Sequence, residues 1–199
     1  MSLVSAGAPL VSLEDIAAVL AVAYLVLAIR QHLSCWIAAF VSSCLYVWVL
    51  FFAQLYMESL LNIFYAIMAV YGFWQWRRGA QGAALRVVRW SAPRHAVGLV
   101  GVLALSILTG YFLRRFTIAA WPFVDSVIAW SSVFATFLVA RKVYENWYWW
   151  LIIDSAALYV YFTRHLYPTM LLFGLYLILI VIGMRTWHRD LARQDHAAS

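Results

Sequence analysis

Long apolar runs alternate with short polar breaks along almost the whole chain. A helix needs about 20 residues to cross a bilayer, and the apolar runs approach that length. They predict seven helices, over residues 16–29, 35–52, 59–75, 96–113, 123–140, 146–163 and 168–184. The first run is short, but it can still span if Glu14 and Arg30 extend toward the two interfaces. The longest break, residues 77–95, is the single predicted linker and separates helices three and four.

Composition assigns the chain to the integral membrane proteins. It has 199 residues, of which 66% are hydrophobic and only 11% charged, with a mean hydropathy of +0.85. A soluble domain of this size could not bury that much apolar surface. The net charge of +6 does not indicate nucleic-acid binding, because the basic residues cluster between the apolar runs. No basic segment precedes the first run, and Glu14 and Asp15 do, so we expect no cleaved signal peptide.

The distribution of basic residues predicts the orientation. Three of the 14 basic residues fall on one side of the seven helices, namely Arg114, Arg115 and Arg164. The others fall on the opposite side: Arg30, Arg77, Arg78, Arg86, Arg89, Arg94, Arg141, Lys142, Arg185, Arg189 and Arg193. The positive-inside rule then places the amino terminus outside and the carboxyl terminus in the cytoplasm.

The chain resembles itself when it is shifted by 111 positions. The shift pairs Trp36 with Trp147, Gly72 with Gly183, and Trp76 with Trp187, and it also aligns Arg30 with Arg141, Tyr65 with Tyr176 and Arg78 with Arg189. We predict two three-helix repeats, 12–78 and 119–190, joined by a loop and helix four over 79–118 and followed by a tail over 191–199. The fold class is therefore an all-α integral membrane protein with seven transmembrane helices in a 3+1+3 parallel repeat, an arrangement that usually encloses a pathway.

Polar side chains share one face on each of two predicted helices. At about 100° per residue, the helix-three stripe contains Asn62, Tyr65, Ala69, Gly72 and Trp76, and the helix-six stripe contains Trp147, Trp150, Asp154 and Tyr161. Asp154 lies about 10 Å along the helix from Trp147 and so near mid-membrane, where a carboxylate costs at least ~2.5 kcal/mol. It is protonated, or it pairs with groups such as Asn62 and the tyrosines, or it faces a cation that comes and goes.

These stripes carry the resemblance to a known family. Asn62, Tyr65, Tyr71, Gly72 and Trp76 fit N-x-x-Y-x-x-x-x-x-Y-G-x-x-x-W, and Trp147 and Trp150 fit W-x-x-W. Both patterns are similar to those of the nicotinamide riboside transporter family, PnuC. The resemblance implies facilitated diffusion of a vitamin or nucleoside across a bacterial inner membrane, without a cofactor, by a homotrimer in which each protomer has its own pathway. The predicted substrate-binding residues are Asn62, Tyr65, Trp76, Trp147, Trp150, Asp154 and Tyr161.

Simpler roles exist for several of these residues. Tryptophans near helix ends, including Trp76 and Trp147, fit an interfacial aromatic belt, and Asn62 and Tyr65 could bond between helices. Gly72 and Gly183 are best explained as close-packing positions. Cys35 and Cys44 lie on opposite faces of one helix and cannot pair with each other, so burial as small apolar residues is expected for both.

Other functions remain as alternatives. An enzyme is disfavoured because Asp154 lacks a second acid or nucleophile, and because His32, His95, His165, His188 and His196 are all expected in loops or tails, where they cannot form an intramembrane metal site. A sugar carrier is disfavoured because a mid-membrane carboxylate suits a positively charged ring better. The sequence predicts nicotinamide riboside uniport for NAD synthesis, with thiamine or another vitamin or nucleoside as the alternative.

Overall fold

The computed structural model describes residues 7–53, 56–79, 85–116, 121–163, 165 and 167–198. These form seven helices, which confirms the predicted all-α fold: α1 (Gly7–Ile29), α2 (Cys35–Phe52), α3 (Tyr56–Arg78), α4 (Ala92–Phe116), α5 (Pro122–Ala140), α6 (Asn146–Thr163) and α7 (Tyr167–Ala198). No strand occurs in the described part of the chain, where Val88 and Val143 form one isolated parallel β-bridge.

The surface of the helices is strongly apolar. On α4 alone, Val97, Val100, Ile107, Leu108 and Tyr111 are mostly exposed, which suits contact with lipid rather than water. Four of the described helices contain a segment long and apolar enough to cross a membrane by length and composition: Cys35–Phe52, Ala92–Phe116, Pro122–Ala140 and Met170–Gln194. The apolar surface and these spans agree with an integral membrane protein.

Several helices extend beyond the predicted apolar runs. α1 begins at Gly7 instead of residue 16, α3 and α4 are longer at both ends, and α7 continues through the predicted tail as far as Ala198. Hydropathy marks the part of a helix that suits lipid, whereas the hydrogen-bonded helix continues into polar residues until the backbone turns away. Basic residues in the last turn, such as Arg77 and Arg114, also favour the helix by complementing its dipole.

Two smaller predictions, the positions of the histidines and the burial of Cys44, were also wrong. His95 lies in α4, and His188 and His196 lie in α7, so these three histidines are in helices and not in loops or an extended tail. Cys35 is buried as expected, but Cys44 is exposed, because the face of α2 opposite Cys35 is not covered within the described structure.

The chain divides into two compact units, Met1–Leu85 and Arg86–Ser199. In the first unit α1 packs on α2 and α2 on α3. Trp36 of α2 lies so close to Gly72 of α3 that a methyl group at Gly72 would overlap its ring. Trp76 meets the same ring edge-on, with the ring centroids 5.4 Å apart. The absence of a side chain at Gly72 therefore sets the approach of α2 and α3.

In the second unit α4 packs on α5, α5 on α6, and α6 on α7. Trp147 of α6 lies against Gly183 of α7, where a methyl group would again overlap its ring. Trp187 contacts Trp147 edge-on, with the ring centroids 5.3 Å apart. Gly98 makes an equally close contact between α4 and Phe134 of α5. Glycine thus permits close packing at both interfaces, as expected for membrane helices.

The turns that precede α2 and α6 have matching hydrogen bonds. Gln31 and Lys142 both have positive φ, 54° and 51°. The amide of His32 donates to the Leu27 carbonyl at 2.9 Å, and the amide of Val143 donates to the Leu138 carbonyl at the same distance. Each turn thus reverses the chain in the same way, 111 positions apart.

Candidate substrate-binding residues

The polar stripe of α3 forms a partly accessible surface of the first unit. Asn62 and Tyr65 are half-buried, whereas Ala69, Gly72 and Trp76 farther along the helix are buried. The Asn62 side-chain amide donates to the Glu58 carbonyl one turn earlier, at 2.9 Å. Its amide oxygen accepts no hydrogen bond from a described residue of this unit. Asn62 therefore retains an acceptor for a ligand hydroxyl or amide.

On α6 the central residue is Asp154, which is only 5% exposed. No hydrogen bond or ion pair joins its carboxylate to another described residue of the second unit. Trp150 lies one turn before Asp154 on the same face and is half-buried. An unpaired carboxylate is costly in an apolar interior. This position therefore suits a cationic partner for the ionised carboxylate, or a hydrogen-bond acceptor for the protonated carboxyl group.

Tyr161 lies two turns after Asp154 and belongs to an aromatic cluster. Its ring centroid is 5.1 Å from that of Phe173, which is in turn 5.5 Å from that of Tyr176. The two neighbours belong to α7, so this cluster joins α6 and α7 at the end away from Trp147. Phe173 and Tyr176 were not among the predicted site residues, although their spacing of three positions on one helix places them close together on its surface.

Trp76 and Trp147 differ from the other candidates because packing encloses them. Trp76 is 8% exposed and Trp147 is 2% exposed, each in edge-on contact with a second tryptophan of its own unit. The indole N–H of Trp147 is buried and has no hydrogen-bond partner among the described residues, and the same holds for Trp36. In this conformation the Trp76 and Trp147 rings present little surface for stacking on a ligand.

The two units carry their polar groups on different helices. Positions 111 apart pair Asn62 with Phe173, Asp154 with Ser43, and Trp150 with Ala39. The candidate residues Asn62 and Tyr65 of the first unit therefore lie on α3, whereas the candidates Trp150 and Asp154 of the second unit lie on α6.

One polar cluster, around Glu145, was not predicted from the sequence. The Glu145 carboxylate, directly before α6, accepts a hydrogen bond from the Trp90 amide at 3.1 Å and lies 3.6 Å from Nε2 of His95. A single acid in a turn otherwise rich in basic and aromatic residues was the available signal. Its partners are about 50 residues away in the chain, so only the fold brings them together.

A family model for nicotinamide mononucleotide transporters matches residues 11–189, nearly the whole chain and both polar stripes. The chain belongs to this family. The relatives found by sequence include the nicotinamide riboside transporter PnuC of Escherichia coli (strain K12), at 27% identity over 70% of this chain and 69% of that protein. The riboflavin/roseoflavin transporter RibM of Streptomyces davaonensis is 27% identical over 60% of this chain and 58% of that protein.

A solved structure of the family has the same fold. The crystal structure of the vitamin B3 transporter PnuC superimposes with a TM-score of 0.75 and covers 91% of this chain and 82% of that one. The sequences are 21% identical, so the likeness establishes the fold and not the ligand. Membership of the family confirms the resemblance found in the sequence and makes this chain a membrane protein of a vitamin-transporter family.

Proposed function

We propose that this protein carries nicotinamide riboside across a bacterial inner membrane by uniport. Family membership supports transport, and the name of the Escherichia coli relative supports this substrate class. The choice of a cationic substrate depends on one observation, the buried Asp154 carboxylate, which has no partner among the described residues of its own unit.

The charge argument rests on Coulomb attraction in an apolar site. Nicotinamide riboside carries a fixed positive charge on a flat pyridinium ring. A carboxylate attracts such a charge strongly where water is scarce, and the ring can stack on the neighbouring half-buried Trp150. Bound substrate would thereby offset the cost of keeping Asp154 ionised.

The remaining candidates take roles that follow from their exposure. Asn62, Tyr65 and Tyr161 are half-buried and would contact the ribose or carboxamide through amide and hydroxyl groups. Trp76 and Trp147, which pack against other tryptophans, would hold the shape of each unit. The matched turns and tryptophan–glycine contacts of the two units support the proposed parallel repeat. A homotrimer with the amino terminus outside is part of the same proposal.

A neutral vitamin is the second candidate, and similarity to RibM favours it. That relative is named as a transporter of riboflavin and roseoflavin, whose rings are flat but uncharged. On this alternative Trp150 still stacks on a ring, whereas Asp154 accepts a hydrogen bond from a ligand hydroxyl. Thiamine, whose thiazolium is cationic, belongs with the first candidate.

The substitution Asp154→Asn distinguishes the two candidates. It keeps the side-chain shape and most hydrogen bonding but removes the charge. Calorimetry should show that affinity for nicotinamide riboside falls by about ten- to a hundred-fold, equivalent to ~1.5–3 kcal/mol for a charge-assisted contact. The neutral reduced riboside should lose much less affinity.

Asp190→Asn is the control, because this carboxylate lies near the carboxyl end of α7 and pairs with Arg193 at 3.7 Å. It should leave both affinities unchanged. Equal losses for the charged and neutral ligands in Asp154→Asn, or wild-type binding of riboflavin alone, would contradict the cationic-substrate proposal.

A further inference from the structure

Residues 86–90, which we call the strap, form an extended segment against the turn between α5 and α6. The amide of Val88 donates to the Lys142 carbonyl at 3.0 Å, and the amide of Tyr144 donates to the Val88 carbonyl at 2.8 Å. These two bonds form the parallel bridge between Val88 and Val143. Val88 thus attaches the strap to the turn through both its amide and its carbonyl, within the second unit.

The attachment continues through side chains to the first residue before α6. The Trp90 amide donates to Oε2 of Glu145 at 3.1 Å, and Nε2 of His95 lies 3.6 Å from the same oxygen. Glu145 therefore joins the end of the strap and the start of α4 to the start of α6. Its carbonyl also accepts the amide of Tyr148 at 3.1 Å, so the same residue begins the helix.

Apolar and aromatic contacts surround these bonds. Val87 is 2% exposed and Val143 is fully buried. The Arg89 guanidinium lies over the Tyr144 ring, 5.3 Å from its centroid. The face of the Tyr144 ring attracts this cation through its quadrupole, which adds a cation–π contact to the hydrogen bonds. The strap is therefore a packed element and not a loose connection.

The turn does not need the strap in order to close. Its own bonds run from Lys142 to Val139 at 2.9 Å, from Val143 to Leu138 at 2.9 Å and from Asn146 to Val143 at 3.1 Å. The bonds to the strap are additional restraints, and they act on the residues immediately before α6. Trp150 lies one turn into α6, and Asp154 lies one turn further along the same helix.

We propose that the strap, through Glu145, positions α6 so that Trp150 and Asp154 meet the substrate correctly. Glu145 is a positioning residue that does not itself touch the substrate. The inference rests on the proposed function, because it assigns substrate contact to α6. It predicts that loosening the strap weakens substrate binding while the helices remain folded.

The first test compares Val88→Pro with Val88→Ala. The Val88 side chain is 42% exposed, so its loss alone removes little packing, and alanine keeps the amide that proline removes. Hydrogen exchange of residues 142–150 in the purified protein should be about five-fold faster in Val88→Pro, as expected when one hydrogen bond is lost. Exchange in Val88→Ala should match the wild type.

The second test measures nicotinamide riboside uptake into proteoliposomes. In Val88→Pro the KM should rise about five-fold, with Vmax changing by less than about two-fold. A purely structural defect would instead reduce the amount of folded carrier, which lowers Vmax at an unchanged KM. Glu145→Ala should raise KM similarly, whereas Glu145→Gln, which keeps an acceptor for the Trp90 amide, should retain most of the affinity.

The outcomes separate this inference from the proposed function. Equal exchange rates in Val88→Pro and Val88→Ala would overturn the positioning role, and so would faster exchange with an unchanged KM. If Val88→Pro does not fold, the comparison of Glu145→Ala with Glu145→Gln decides by the same two readouts. If the wild type transports neither nicotinamide riboside nor any other vitamin tested, the proposed function fails, and exchange alone decides whether the strap holds α6.

Discussion

Gly183→Ala should destabilise the second unit by overfilling the contact between α6 and α7. A methyl group at this position would overlap the six-membered part of the Trp147 indole. That ring is 2% exposed and meets Trp187 edge-on, so it cannot move aside without disturbing a second buried ring. Overpacking of this kind costs about 1–3 kcal/mol, and loss of the edge-on ring pair adds about 0.5–1.5 kcal/mol.

Gly174→Ala on the same helix is the matched control. Apart from its chain neighbours and the backbone of its own helix, no described residue has an atom within 4 Å of a methyl group built there. Both substitutions gain helix propensity, worth up to about 1 kcal/mol, so their difference isolates the clash. The free energy of unfolding, measured by SDS titration of protein in mixed micelles with circular dichroism, should be about 1.5–4.5 kcal/mol lower in Gly183→Ala than in Gly174→Ala.

A double substitution tests the cause. Trp147→Phe shortens the ring that the new methyl group meets, so adding it to Gly183→Ala should cost less than the sum of the two single changes. Equal stability of Gly183→Ala and Gly174→Ala would refute the close packing described for this interface. Additive costs in the double variant would show that any destabilisation comes from elsewhere.

Two further predictions concern transport. Trp150→Ala should weaken substrate binding by about 1–3 kcal/mol, the loss seen when an aromatic stacking surface is removed. Its circular dichroism spectrum should match that of the wild type. Unchanged affinity would indicate that Trp150 belongs to the interfacial aromatic belt and does not contact the substrate. Uptake into proteoliposomes should bring the substrate to equal concentrations inside and outside, and accumulation driven by an imposed proton gradient would contradict uniport.

The sequence was most informative where the relevant physics is local. Each apolar run had to become a helix, because a backbone in lipid must satisfy its hydrogen bonds within the segment. The spacing of Asn62, Tyr65 and Trp76 placed them on one face without any knowledge of the neighbours. The family patterns then followed from residues close together in the chain, and both the helical fold and the family resemblance were confirmed. The repeat stays a prediction.

Exposure could not be read from the sequence in the same way. Trp147 and Trp150 are three positions apart and of one residue type, yet Trp147 is enclosed by Gly183 and Trp187 whereas Trp150 is half-buried. The exposed Cys44 illustrates the same limit. A helix face is defined by periodicity, but what covers that face depends on residues far away in the chain.

The sequence by itself therefore determined the helices, the apolar character that suits a bilayer and the face on which Asp154 lies. Only the tertiary structure decided that Asp154 has no partner among the described residues of its unit, that glycines admit the tryptophan rings, and that Val88 and Glu145 tie the strap to α6. The physical reason is the separation along the chain of the residues that interact. Helix formation and amphipathic periodicity depend on neighbours within a few residues, whereas these contacts join segments dozens of residues apart, which become neighbours only after the chain has folded.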